Sequence, residues 1–195
     1  MKRLALIALL LTCGGCGYRL ATLDTTHRPT ITVPYVEGDI SGELTSALIH
    51  AIAKNTSFEP RVSHGRYRLD VTILSSVHNY IGFRYDRDEI TGERIDRLQP
   101  DEERKTVKVE VQLVDTYSGK PILGPQIIEG RTDYDYVNSD VLSDLSFLNK
   151  AGRRESVLQF SLGQLDAFEN AREAALTPLY ERLASQIAFS LASFM

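Results

Sequence analysis

Hydrophobic and polar residues alternate most regularly from Thr106 to Thr116. Val107, Val109, Val111 and Leu113 take one side, and Lys108, Glu110 and Gln112 the other. A two-residue period predicts a strand with one buried and one wet face, as in an antiparallel sheet covered on one side. Tyr67 to Tyr80 alternates likewise, with Leu69, Val71 and Ile73 on one face and Val77 returning to it. After the turn Tyr117-Ser118-Gly119-Lys120, Gln126 to Val137 reads as the returning strand, with Ile128, Thr132, Tyr134 and Tyr136 on one face. Near the start, Ile31, Val33 and Tyr35 oppose Thr32 and Pro34, so a strand is predicted over Thr30 to Val36, with a shorter one around Phe58 to Val62. Pro34 has no N–H and keeps one side of that first strand out of a ladder.

The period changes to three and four in two places. Leu44, Leu48, Ala51 and Ile52 stack on one face of a helix for which Ser41 is the expected N-cap, with Glu43 and Lys54 suited to its opposite ends. Leu176, Leu179, Leu183, Ile187, Leu191 and Phe194 do the same within Asp166 to Phe194. Pro178 either starts a new helix near Thr177 or bends one long helix. Gly82 to Lys105, dense in Arg, Asp and Glu, reads as an extended hairpin tip whose strands run on past the sheet. Asn138 to Gln164 reads as irregular, with a short helix near Leu142 to Leu148. The expected fold is α+β: a two-layer sandwich with two helices on one face of a small mixed four-stranded sheet.

The first fifteen residues follow a different logic. Lys2 and Arg3 precede the apolar run Leu4 to Leu11, and Gly14 and Gly15 lead into Cys16. This is the anatomy of an export signal, and its apolar run is too short to span a bilayer. The two cysteines, Cys13 and Cys16, both lie at its end. A cut before Cys16 would leave one thiol, at the new N-terminus, as the acceptor for a diacylglycerol. Cys13 is the rival acceptor, but Thr12 precedes it where a small residue such as Gly15 fits better. The expected division is a signal peptide over 1–15, a lipidated tether over 16–29, and one domain over 30–195. The full chain carries a net charge of −4. Without Lys2 and Arg3 the balance becomes 20 basic against 26 acidic residues, or −6, which offers no general attraction to nucleic acid.

Motifs for catalysis or metal binding are lacking. His27, His50, His64 and His78 have no partners at ligand spacing. Gly38-Asp39-Ile40-Ser41-Gly42 is out of step for a nucleophile elbow. Asp86-Arg87-Asp88 opens like a calcium loop, but Ile90, Thr91 and Arg97 stand where a ligand, a glycine and a bidentate Glu are needed. No enzyme, metal site or cofactor is expected. Arg84, Arg87, Arg94, Arg97, Arg104 and Lys105 gather in the hairpin tip beside Phe83 and Tyr85, which suits an anionic lipid, but on charge count the favoured reading is a solvated hairpin in which Asp86, Asp88, Glu89, Glu93 and Asp96 neutralise them. Arg131, near Tyr134 and Tyr136, is a second candidate, against an ordinary cross-strand pair.

Taken together, Cys16-Gly17-Tyr18-Arg19-Leu20, the Ile31-x-Val33-Pro34-x-Val36 strand and Arg172-Glu173-Ala174-Ala175-Leu176 resemble the LptE family, lipopolysaccharide-assembly lipoproteins of the outer membrane. The resemblance implies a non-enzymatic protein anchored through Cys16 on the periplasmic side of the cell outer membrane. It also implies a partner, the LptD-type β-barrel, which such proteins plug and help assemble, and a ligand, lipopolysaccharide, whose insertion into the outer leaflet they assist. Gly17 after the acceptor cysteine permits outer-membrane delivery. Arg84, Arg87 and Arg131 are the residues the resemblance suggests for lipopolysaccharide, although Glu129 stands near where another basic contact is expected. Asn138 to Gln164 looks like an insertion relative to the family. The competing expectation is an accessory lipoprotein that regulates another envelope complex, a lipid transporter or a wall synthase.

Overall fold

Three long strands form the centre of the molecule. In the computed structural model, which describes residues 28–88, 91–136, 146–156 and 168–193, β3 (Tyr67–Arg87), β4 (Arg94–Asp115) and β5 (Pro121–Asp135) run antiparallel in chain order. Two three-residue strands, β1 (Thr30–Thr32) and β2 (Glu59–Arg61), join them in parallel, so the mixed sheet has the order β2-β1-β3-β4-β5. It has five strands rather than four because Glu59–Arg61 pairs along the outer side of β1. The first strand stops at Thr32, not Val36. Pro34 supplies no donor, and Val36 turns into the core while Tyr35 turns outward and its hydroxyl donates to the Asp39 carbonyl. The chain rejoins β3 through Glu37, whose N–H donates to the Val71 carbonyl and whose carbonyl accepts from Ile73 N–H.

The helices lie on one face of this sheet, as the patterning predicts. α1 (Glu43–Asn55) buries Leu44, Leu48, Ala51 and Ile52. Its start is organised by Asp39, not by Ser41. The buried Asp39 carboxylate accepts from Gly42 N–H at 3.1 Å and from Thr45 N–H and Oγ1, both at 2.8 Å. α2 (Phe168–Ala174) and α3 (Leu176–Ala192) are separate helices. Pro178 is the third residue of α3, within the first turn, where a missing N–H costs nothing. Leu179, Leu183, Ile187 and Leu191 join α1 over Ile31, Leu69, Val71, Val107, Val109, Val111 and Leu113 to form the core.

Two glycines allow close approaches that a side chain would block. Gly65 carries the β2–β3 connection across β1; a Cβ there would stand 2.5 Å from Thr32 N. Gly130, buried on β5, lets α3 settle onto the sheet, since its Cβ would meet Leu183 Cγ at 2.5 Å. One alternation fails. Leu74 is an extra residue between the pairs Ile73–Val109 and Ser75–Lys108, and such a bulge moves every later side chain to the other face. Val77 therefore opposes Thr106 and is half-exposed instead of returning to the core. Ser146–Leu148, expected at the end of a short helix, is instead strand β6, paired with β7 (Arg154–Ser156). Asn149 sets this hairpin, its side-chain oxygen accepting from Ala151 and Arg153 N–H at 2.9 Å each. The rest of the expected helix, like the expected acceptor Cys16, lies outside the described residues.

Candidate functional site on the hairpin arm

The last residue of β5, Asp135, pairs with Glu102. After one further bond, from Tyr136 N–H to the Asp101 carbonyl at 3.1 Å, β3 and β4 continue among the described residues as a two-stranded arm from Phe83–Pro100 to Arg87–Arg94. From Glu102 to Arg94 the hairpin runs about 27 Å. Its aromatic and aliphatic side chains are not packed away. Phe83, Tyr85 and Leu98 are all exposed, and the Phe83 ring meets that of Tyr80, exposed at the root of the arm, edge to face with centroids 6.4 Å apart.

The arginines of the arm are organised by their neighbours. Arg84 Nε stands 3.1 Å from Asp101 Oδ2. Arg97 Nε donates to the buried Asp86 Oδ2 at 2.8 Å, and its Nη2 reaches the same oxygen. Arg94 lies over the Tyr85 ring, 3.4 Å from the centroid, a contact in which the ring's negative face meets the cation. Arg87 opposes Arg94 in the ladder, and its Nη1 donates to the Gly92 carbonyl at 3.1 Å. Thus Arg84 and Arg87 share the arm with exposed rings. Arg131 does not. It opposes Thr106 on β5, on the sheet face away from the helices, and Tyr134 and Tyr136 point to the opposite face. Its carbonyl accepts from Arg182 Nη1 at 3.1 Å. Seven residues of β4, about 23 Å of strand, separate the row of Arg131 from that of Arg84. Glu129 is paired with Lys108 at 3.3 Å.

Arg104 and Lys105 also leave the expected tip cluster, because β5 accompanies the hairpin as far as Glu102. Arg104 pairs with Asp133 at 2.6 Å. Lys105 is buried at the root of the arm, in a polar group that sequence motifs do not reveal. At its centre is Glu103, whose side chain is 2% exposed. It accepts from Arg172 Nε at 3.0 Å and Nη2 at 2.9 Å, and from the Tyr134 hydroxyl at 2.5 Å. His78 Nδ1 lies 3.1 Å from that hydroxyl, and Lys105 Nζ lies 2.7 Å from His78 Nε2. One proton arrangement satisfies every contact: Lys105 donates to Nε2, Nδ1–H donates to Tyr134, and Tyr134 donates to Glu103. The imidazole is then neutral. Burial pushes its proton affinity down, and the charges of Lys105 and Arg172 add to this against the pull of Glu103. For Glu103, burial works upward, but the hydrogen bonds from Arg172 and Tyr134 outweigh it and hold the carboxyl below its usual range. Lys105 is lowered by burial and by Arg172.

The signal for this group was present in the alternation. Glu103 and Lys105 continue the odd-numbered series of Val107, Val109, Val111 and Leu113 inward, and Tyr134 continues that of Ile128 and Gly130. Arg172 ties α2 to the hairpin here, and its guanidinium also lies over Phe168 at 3.9 Å, which packs on Tyr136 at 4.6 Å. No cluster of metal-ligating side chains occurs among the described residues.

A sequence model of the LptE family, described as lipopolysaccharide-assembly, matches residues 28–191. The chain belongs to the LptE family. That span takes in every strand and all but the last residue of α3, so the arm and its polar root are parts of an LptE-family lipoprotein, an assembly protein and not an enzyme. No curated protein matches the chain. Similar solved structures include a minor lipoprotein from Acinetobacter baumannii, with 11% identity over 85% of this chain and 94% of that one and a TM-score of 0.47. Others are the rare lipoprotein B from Shewanella oneidensis, with 15% identity over 84% and 94% and a TM-score of 0.42, and lipoprotein B from Nitrosomonas europaea, with 9% over 86% and 84% and a TM-score of 0.47. The functional reading rests on membership of the LptE family, not on these likenesses.

Proposed function

We propose that this LptE-family protein is a lipid-anchored outer-membrane lipoprotein that plugs and helps assemble an LptD-type β-barrel and assists insertion of lipopolysaccharide into the outer leaflet. The observation that carries the reading is the family match across residues 28–191. In this account residues 1–15 are a signal peptide, Cys16 receives the acyl anchor, 16–29 form the tether and 30–195 the working domain on the periplasmic side. The geometry of the arm supports the role. A narrow two-stranded projection can enter a lumen that a full sandwich face cannot. Guanidinium groups beside aromatic rings suit a ligand carrying phosphates, sugars and acyl chains. Arg84 and Arg87 are the proposed contacts there, with Arg131 as a separate one on the open sheet face.

The test is affinity capture of the full chain from membranes of its host under mild detergent, with palmitate labelling in the same cells. A β-barrel of the LptD kind should co-purify, and the label should be lost from Cys16→Ala. Recovery of a lipid transporter or wall synthase with no such barrel would favour the accessory-lipoprotein reading instead.

A further inference from the structure

Strand β5 forms one border of the sheet. The order β2-β1-β3-β4-β5 puts β4 on one side of it and no strand on the other among the described residues. Successive residues of a strand turn their backbone groups to opposite sides. Tyr136 N–H donates to the Asp101 carbonyl of β4, so the even-numbered residues here face β4. The odd-numbered ones face outward, and accordingly the Arg131 carbonyl accepts from Arg182 of α3. Ile127, Glu129, Arg131 and Asp133 thus present a row of N–H and C=O groups about 6.7 Å apart. None of them has an outward backbone partner among the described residues.

Edge strands commonly resist pairing through proline, bulges or shortness. On β5 these devices are confined to its beginning. Pro121 and Pro125 lack N–H groups, and the register shifts against β4 fall between Pro121 and Gln126. From Gln126 to Asp135 the ladder is regular over ten residues. A strand that crosses a membrane in a β-barrel is about 9–11 residues long and alternates an apolar row with a polar one. The open edge suits such a strand in length and in character. Its row toward the helices, Ile128, Gly130, Thr132 and Tyr134, carries no charge. On that side stands Phe189, 65% exposed and two turns beyond Arg182 on the same flank of α3. The other row holds Glu129, Arg131 and Asp133, of which the two carboxylates are already neutralised by Lys108 and Arg104.

We infer that the outer edge of β5 is a template that pairs, by strand addition, with a strand of the barrel chain before the barrel closes. The inference rests on the reading that this protein helps assemble an LptD-type barrel. Main-chain hydrogen bonds supply the affinity in such pairing, and the alternate side chains supply the selectivity. An entering strand replaces Arg182 at the Arg131 carbonyl with an N–H of its own. Closure then pairs the barrel strands with one another and abolishes their edges, which releases β5 and leaves the protein as the plug.

The test uses the full chain purified from membranes and the barrel chain that co-purifies with it, unfolded in urea and diluted into detergent micelles. Amide hydrogen exchange is followed in peptides covering 126–135, and barrel folding by the mobility shift on unheated gels. The expected result is slowed exchange at 126–135 while the barrel chain is unfolded, returning to the free rate once it has folded. Glu129→Pro with Asp133→Pro removes two outward donors and spares the ladder to β4. This variant should lower the ratio of paired to free edge by about tenfold or more and slow barrel folding. Glu129→Ser with Asp133→Ser removes the same side chains, keeps both N–H groups and should retain the protection. Should the proline variant unfold, exchange in the unaltered chain decides alone. Unchanged exchange at 126–135, with a barrel that still co-purifies, overturns the template and leaves the plug standing. Slowed exchange without barrel chain, growing with protein concentration, assigns the edge to a second copy and overturns it as well. If no such barrel co-purifies, the assembly reading falls, and the template with it.

Discussion

His78 shows how one side chain can be unremarkable in the sequence and constrained in the fold. It has no metal-spaced partner, yet it faces Lys105 and Glu103 from β4, Tyr134 from β5 and Arg172 from α2. A buried carboxylate with its full set of donors is costly to disturb; loss of one partner from such a pair is worth roughly 3–5 kcal/mol. Protonation of the imidazole is a milder disturbance of the same group, because it would turn the Lys105 contact into one donor facing another. Its proton affinity is lowered in the fold, chiefly by burial and then by Lys105 and Arg172. As pH falls through about 6.5, the unfolded chain takes up a proton before the native one does. Stability contributed by the neutral ring is thus present above that value and lost as pH falls toward the lower native one. Glu103 acts in the same direction but in the carboxylate range below it. Urea midpoints measured across acid pH should fall through the imidazole range for the unaltered protein, with a flatter slope there for His78→Gln. Identical slopes would mean that the ring titrates freely in the folded state.

At the scale of elements, the seating of α3 on the sheet depends on a missing side chain. Gly130 lies beneath Leu179 and Leu183, with both leucines fully buried. Gly130→Ala places a methyl group 2.5 Å from the branched Cγ of Leu183, an atom that cannot swing aside without moving the helix. Overpacking of this kind costs typically 1–3 kcal/mol, more than the gain from replacing a flexible glycine in a strand. The variant should have a lower urea midpoint with an unchanged slope; an equal or higher midpoint would show that α3 shifts without cost. Legibility divides along similar lines. The helices and the three long strands follow from period, because burial on one face imposes it, and the continuation of the hairpin follows from the charge-dense run between two alternating strands. The Leu74 bulge, the early end of β1 at Thr32 and the capping of α1 by Asp39 depend on hydrogen bonds between segments, which periodicity does not carry. The polar root was half legible: the inward parity of Glu103 and Lys105 could be read, but the approach of Arg172 from α2, 69 residues later, could not.

The molecule as a whole separates its surfaces. One sheet face carries the helices and the core. The other carries exposed ion pairs, Arg68 with Asp70, Lys108 with Glu129 and Arg104 with Asp133, each of the sort that contributes little in water. Arg131 belongs to that charged face, while Arg84 and Arg87 belong to an arm where cations alternate with exposed rings. A ligand combining phosphates with acyl chains needs both kinds of contact at one place, and the arm carries these arginines and exposed rings on one hairpin, with Arg94 over Tyr85. Lipopolysaccharide affinity of the full chain should therefore fall in the double variant Arg84→Ser, Arg87→Ser, by about tenfold or more for each guanidinium–phosphate contact removed. The salt dependence of binding should weaken with it. Arg131→Ser, on the order of 23 Å away along the strands, removes a single separate contact and should weaken binding less than the arm variant does. Binding isotherms at low and high ionic strength compare the two variants directly. If Arg131→Ser proves the weaker binder while the arm variant stays unchanged, the ligand lies on the open sheet face and not on the arm.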